Sequence, residues 1–100
     1  MSRIELAPEV RDDFDRILEH LLAHQNTVAP SHIEDIIRAI DVLERNPLIG
    51  RLARADLREL VIGRHARGYV ALYRYVAELD VVFVLAIRAQ KEAGYTKGQA

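Results

Sequence analysis

The architecture of this chain turns on VVFVLAIRAQKEAGY, residues 81–95. Its first seven residues are apolar without a break, the length and composition of a strand covered on both faces rather than of a helix with one apolar stripe. Arg88, Lys91 and Tyr95 follow at once, so a buried strand here carries two cations and a phenol at its end. Such a strand is interior to a sheet, and the rest of the chain must supply its neighbours and its cover.

The neighbours stand just before it. YVALYRYV (69–76) and LRELVI (57–62) are rich in β-branched, aromatic and leucine residues. AELD (77–80) is short enough for a hairpin, and GRHARG (63–68) makes a longer, glycine-flanked loop, so the three strands are expected to run antiparallel. RIEL (3–6) alternates Ile4 and Leu6 with Arg3 and Glu5, as a short half-buried strand does.

The cover comes from two helices. Pro8 suits a first turn, with Glu9, Asp12 and Asp13 near the positive end of the helix dipole, and Val10, Phe14, Ile17, Leu18, Leu21 and Leu22 form a stripe ending near 24–26. Ser31 with Glu34 has the spacing of a capping box and predicts the second helix, with Ile33, Ile36, Ile37, Ile40 and Leu43 as its stripe. Asn46-Pro47 stops it. The sequence therefore predicts an α+β fold: an N-terminal strand, then an antiparallel two-helix hairpin packed on a mainly antiparallel sheet. Two helices cover one sheet face, so apolar surface on the other is expected to meet a partner chain.

With 100 residues, 50% of them hydrophobic and 29% charged, the expectation is one domain spanning 1–100, with a flexible tail from about 92. There is no cysteine, hence no disulfide and no thiolate zinc site. The longest apolar run is far short of the roughly 20 residues of a bilayer crossing, and no apolar leader follows the first residues, so no membrane association and a cytoplasmic location are expected. The net charge of −1 conceals an imbalance: residues 1–50 hold five arginines and ten acids, residues 51–100 nine cations and five acids. A basic half of this kind suits nucleic acid or an acidic protein.

Arg58, Arg64, Arg67, Arg74, Arg88, Lys91 and Tyr95 are the candidate contact residues. Arg58 and Arg74 alternate with apolar neighbours and are expected to share one sheet face with Arg88; the plainer role for any one of them is a solvated surface charge. Tyr69, Tyr73 and Tyr75 are expected on one strand face, beneath the helices or against a partner. His20 and His24 have the i, i+4 spacing of a helical metal pair, but no third ligand is evident and no metal is expected.

The order strand, helix, helix, three strands, with RNPLIGR (45–51), LRELVIG (57–63), GYVALYR (68–74) and AIRAQKEAGY (86–95), resembles the RelE/ParE superfamily of toxins from bacterial type II toxin-antitoxin modules. The resemblance spans almost the whole chain and implies one of two activities. RelE-like members cut mRNA in the ribosomal A site with basic residues on the sheet and a C-terminal cation and tyrosine; ParE-like members act on DNA gyrase. Lys91 and Tyr95 match the ribonuclease pattern, but Val70 follows Gly68-Tyr69 where that branch has an arginine. RNA cleavage needs donors where charge grows on the phosphorane, each worth about 10²–10³-fold, and valine supplies none. The resemblance thus favours the ParE-like branch, with no catalytic residues and no cofactor. As a ribonuclease the chain would rely on Arg58, His65, Lys91 and Tyr95, with His65 as general acid. The implied partners are a cognate antitoxin, ParD-like with a DNA-binding ribbon-helix-helix domain, DNA gyrase as target, and a second copy as a homodimer. An inert, antitoxin-bound module is the remaining alternative.

Overall fold

The computed structural model describes residues 1–23, 29–63 and 68–90. The elements run β1 (Arg3–Leu6), α1 (Pro8–Ala23), α2 (Ala29–Val42), β2 (Arg51–Arg54), β3 (Leu57–Ile62), β4 (Tyr69–Val76) and β5 (Val81–Ala89). The strands form one sheet in the order β1-β5-β4-β3-β2, antiparallel except for the parallel pair of β1 with β5. The expected interior position of residues 81–87 is observed. Strand β2 is an addition: four exposed residues, RLAR, lack the alternating burial by which a strand announces itself.

The register assigns the faces. Ile62 lies opposite Tyr69 and Arg58 opposite Tyr73, so Arg58, Leu60 and Ile62 share the helix-covered face with Tyr69, Ala71 and Tyr73. On β5 the count shifts: Leu72 faces Ala86 and Tyr73 faces Val84, leaving Leu85 as the extra residue of a β-bulge. Val82 and Val84 point at the helices before the bulge and Ile87 after it, all three fully buried. The unbroken apolar run therefore serves both parities of one strand. The core joins these to Val10, Ile17 and Leu21 of α1 and Ile36, Ile40 and Leu43 at α2. The three tyrosines of β4 lie on this face, Tyr73 fully buried.

Both helices depart from their expected stripes at the flanks. Val10, Asp13, Ile17 and Leu21 are the buried positions of α1, whereas Leu18 and Leu22 remain exposed, as does Ile37 of α2. The buried set recurs every three or four residues, and the two leucines fall to one side of it. Helix α2 begins at Ala29, two residues ahead of the start expected at Ser31; a proline at position 30 is at home in a first turn, where its missing N–H costs nothing. At its other end the bonds tighten to i→i+3, Leu43 to Ile40, Glu44 to Asp41 and Arg45 to Val42, before Asn46-Pro47 stops the winding. The expected end of the first helix near 24–26, His24 of the histidine pair and the tail from 92 lie outside the described residues.

The first strand is held at its start. Ser2 donates its N–H to Glu44 O and its hydroxyl to Asp80 Oδ1 at 2.6 Å; Tyr75 donates to the same oxygen at 2.8 Å. Asp80, in the β4–β5 turn, has φ of 54°, a left-handed conformation that aspartate tolerates better than most residues. These two donors, Ser2 first, hold the Asp80 carboxyl below its ordinary value.

Candidate target-binding site

The sheet face away from the helices is the one for which the sequence predicts a partner. Val61, Val70, Leu72 and Phe83 lie along its middle, Val61 exposed and the others half-buried. Arg51 and Arg54 of β2 stand on this face, opposite Glu59 and Leu57, and Arg74 stands opposite Leu57 across the other ladder. Each strand alternates, so the apolar row and the arginines share a surface.

Arg58 is not on it. Arg58 and Arg74 were expected to project together, but in this register Arg58 pairs with Tyr73 and Arg74 with Leu57, which puts them on opposite faces. Arg58 Nη1 donates to Leu48 O at 3.2 Å and to Gly50 O at 2.7 Å. Beside it the Tyr73 hydroxyl accepts the Gly50 N–H at 2.8 Å, and a Cβ at Gly50 would meet the tyrosine ring, its hydroxyl and Glu59 O at 2.8 Å or less. Burial raises the Tyr73 pKa, with the Gly50 bond and the Arg58 charge opposing in part. Arg58 thus acts as a clamp on the corner between α2 and β2.

Arg88 is also engaged within the chain. It starts opposite Val70, on the open face, but its guanidinium turns over the edge of β5 to reach Asp13 Oδ1 at 2.5 Å, with a side chain only 12% exposed. This does not extend the expected positive surface. Asp13 Oδ2 accepts the Ile87 N–H at 2.9 Å, while Arg16 donates to Ile87 O and to Asp13. Strand β1 pairs with 81–84, and beyond that register Asp13 and the two arginines bind the β5 backbone at Ile87. The sequence carried a signal for Asp13, since it occupies the core-facing position between Val10 and Ile17, where a carboxylate must find partners.

Three other arginines on the open face stand near acids. Arg74 is 3.5 Å from Asp56, Arg51 3.2 Å from Glu59, and Arg3 3.1 Å from Glu5. Arg64, His65, Arg67, Lys91 and Tyr95 lie outside the described residues. Among the described residues no three His, Asp or Glu side chains gather as metal ligands, and no helix is long and apolar enough to cross a membrane.

The open face thus has an apolar middle edged by arginines, of which Arg3, Arg51 and Arg74 stand near acids. The sequence from 4 to 94 matches the family described as the ParE toxin of the type II toxin-antitoxin system, parDE. The chain belongs to the ParE toxin family. It is a type II toxin of the RelE/ParE superfamily. Toxin RelE3 of Caulobacter vibrioides is 30% identical to this ParE-family chain over 92 residues, covering 92% of the chain and 98% of that relative. Among solved structures, the chromosomal ParDE system of P. aeruginosa matches with a TM-score of 0.73 at 20% identity, covering 89% of this chain and 96% of that one. The isolated E. coli RelE toxin matches with a TM-score of 0.64 at 16% identity, covering 93% and 88%. These structural likenesses speak to the shared fold: an N-terminal strand, a helical hairpin and a mostly antiparallel five-stranded sheet.

Proposed function

We propose that this ParE-family toxin inhibits DNA gyrase by direct binding and is neutralised by a cognate, ParD-like antitoxin. The carrying observation is the engagement of the described candidate arginines: Arg58 binds two carbonyls, Arg88 binds Asp13, and Arg74 stands beside Asp56. A phosphate backbone is gripped by cations free to exchange their counterions, and arginines already facing acids contribute little to that. A row of valine, leucine and phenylalanine with a polar rim suits a protein partner. On this reading 1–100 acts as one domain, and Arg64, Arg67, Arg74, Lys91 and Tyr95 contribute to the contact.

The test is a titration of the protein into purified gyrase with supercoiled plasmid and ATP, scored for linear DNA after denaturation and proteolysis. Dose-dependent linear product is expected, insensitive to Tyr95→Phe and lost when Arg64, Arg67 and Arg74 are replaced together. The name of the relative Toxin RelE3 favours a second reading, ribosome-dependent mRNA cleavage using Arg58, His65, Lys91 and Tyr95. Protein that arrests growth without affecting gyrase, and loses that arrest in Lys91→Ala or Tyr95→Phe, would replace the first reading with the second.

A further inference from the structure

One arginine of the open face has no partner for its charge. Arg3, Arg51 and Arg74 each have an acid within 3.5 Å, and Arg88 is drawn over the edge of β5 to Asp13. The guanidinium of Arg54, exposed and opposite Leu57, has no ion pair or hydrogen bond among the described residues. We propose that Arg54 is the point at which this face engages a carboxylate on the gyrase surface. The assignment rests on the gyrase reading above and adds to it a residue and the group that residue takes.

The backbone is irregular on both sides of Arg54. Arg51 and Leu52 pair with Glu59 and Arg58, but the next pair is Arg54 with Leu57, so Ala53 is the extra residue of a β-bulge. In a regular strand position 53 would follow Arg51 onto the open face, and position 54 would turn with Leu52 to the other side. The bulge inverts that parity and delivers Arg54 to the open face. On its far side Ala55 has φ of 50°, a left-handed conformation that an alanine side chain disfavours. A glycine would relieve the strain and an unbroken ladder would remove the bulge. Bulges re-aim side chains, and backbone strain of this kind concentrates at sites of contact.

The neighbouring strands supply the surroundings. Arg54 lies opposite Leu57, Leu57 opposite Arg74 and Arg74 opposite Phe83, so one line across four strands is Arg, Leu, Arg, Phe. Asp56 stands beside Arg74, while Arg54 lies about 10 Å from it across two strand spacings. A partner landing on Leu57 and Phe83 excludes water beside Arg54, which strengthens the paired hydrogen bonds that a guanidinium makes to a carboxylate. A phosphate backbone is held by several unpaired cations, and among the described residues this face offers one. The charge pattern therefore selects a carboxylate of a protein.

The experiment uses the full chain with Arg54→Ala, Arg54→Lys and, as a control for net charge, Arg38→Ala at an exposed position of α2. Each is titrated into gyrase with supercoiled plasmid and ATP, and its binding is measured separately to gyrase without DNA and to plasmid without gyrase. Arg54→Ala is expected to raise the half-maximal dose for linear product, and the Kd for gyrase alone, about tenfold or more, with the product at saturating dose unchanged. Arg54→Lys keeps the charge and loses the fork, and is expected to fall between that variant and the wild type. Arg38→Ala is expected to stay within about twofold of the wild type. Urea unfolding midpoints should not move, because no contact among the described residues is lost. Coincident curves for Arg54→Ala and the wild type, with both producing linear DNA, would overturn the assignment and leave the gyrase reading standing. An equal shift in Arg38→Ala would overturn it as well, in favour of general electrostatic attraction. A loss in Arg54→Ala confined to plasmid without gyrase would replace the carboxylate with a phosphate. A wild type that binds no gyrase and yields no linear product would overturn the gyrase reading, and this assignment with it.

Discussion

Asp13 binds the β5 backbone past the point where the β1 ladder ends. One oxygen accepts the Ile87 N–H and the other binds two guanidinium groups, with the side chain 6% exposed. Removing the carboxylate leaves a nearly buried Arg88 without its partner and an orphan N–H on the strand edge. Losing one member of a buried pair costs about 3–5 kcal/mol. Asp13→Ala is therefore expected to lower stability by about that much in urea unfolding. Adding Arg88→Met to it should recover part of the loss, since the uncompensated charge goes too. A loss below about 1 kcal/mol would show that water replaces Asp13 at no great cost.

At the scale of elements, β1 is the piece tied by an ionisable group. The Asp80 carboxyl is held below its ordinary value of 3.8 by the hydroxyls of Ser2 and Tyr75. A depressed carboxylate contributes stability that is present above the unfolded value and lost as pH falls through the folded one. Amides of β1 are thus expected to lose hydrogen-exchange protection below about pH 4, before the rest of the sheet. Asp80→Asn, which keeps a residue at ease with positive φ, should flatten that dependence. Equal loss of protection in β1 and β4 in both proteins would show that the contact is not a separate fastening. The two helices and strands β1, β3 and β4 were legible from the pattern of their apolar positions, and β5 from an unbroken apolar run that marks a strand covered on both faces. Strand β2 was not, since an edge strand buries neither face. Nor was the separation of Arg58 from Arg74: it depends on the pairing register, which no property of either strand alone displays. The bulge at Leu85 was hidden by the feature that allows it, a run apolar at every position.

For the whole molecule, the tyrosines beneath the hairpin tie the fold to alkaline pH. Burial raises the pKa of Tyr69 and of Tyr73 above 10.0. For a raised phenol the stability is complete below the unfolded value and declines as pH rises through the folded one. Unfolding midpoints are expected to be flat up to about pH 10 and to fall beyond it, with tyrosinate absorbance of these residues appearing together with loss of helix. Tyr73→Phe should weaken the alkaline decline and, by removing the acceptor for the Gly50 N–H, lower neutral-pH stability by about 1–3 kcal/mol. Tyrosinate that forms fully in the folded protein would refute the linkage.

The parallel pairing of β1 with β5 also sets a clock. Arg3 emerges early in synthesis, yet its ladder partner is Val81, 78 positions later. At about 5–20 residues per second that is a wait of roughly 4–16 s. During it the helical hairpin exists without the strand it packs on, its core-facing isoleucines open to whatever is nearby. The sheet of this toxin closes only once β5 is made, so the core-facing side of the hairpin stays uncovered until then.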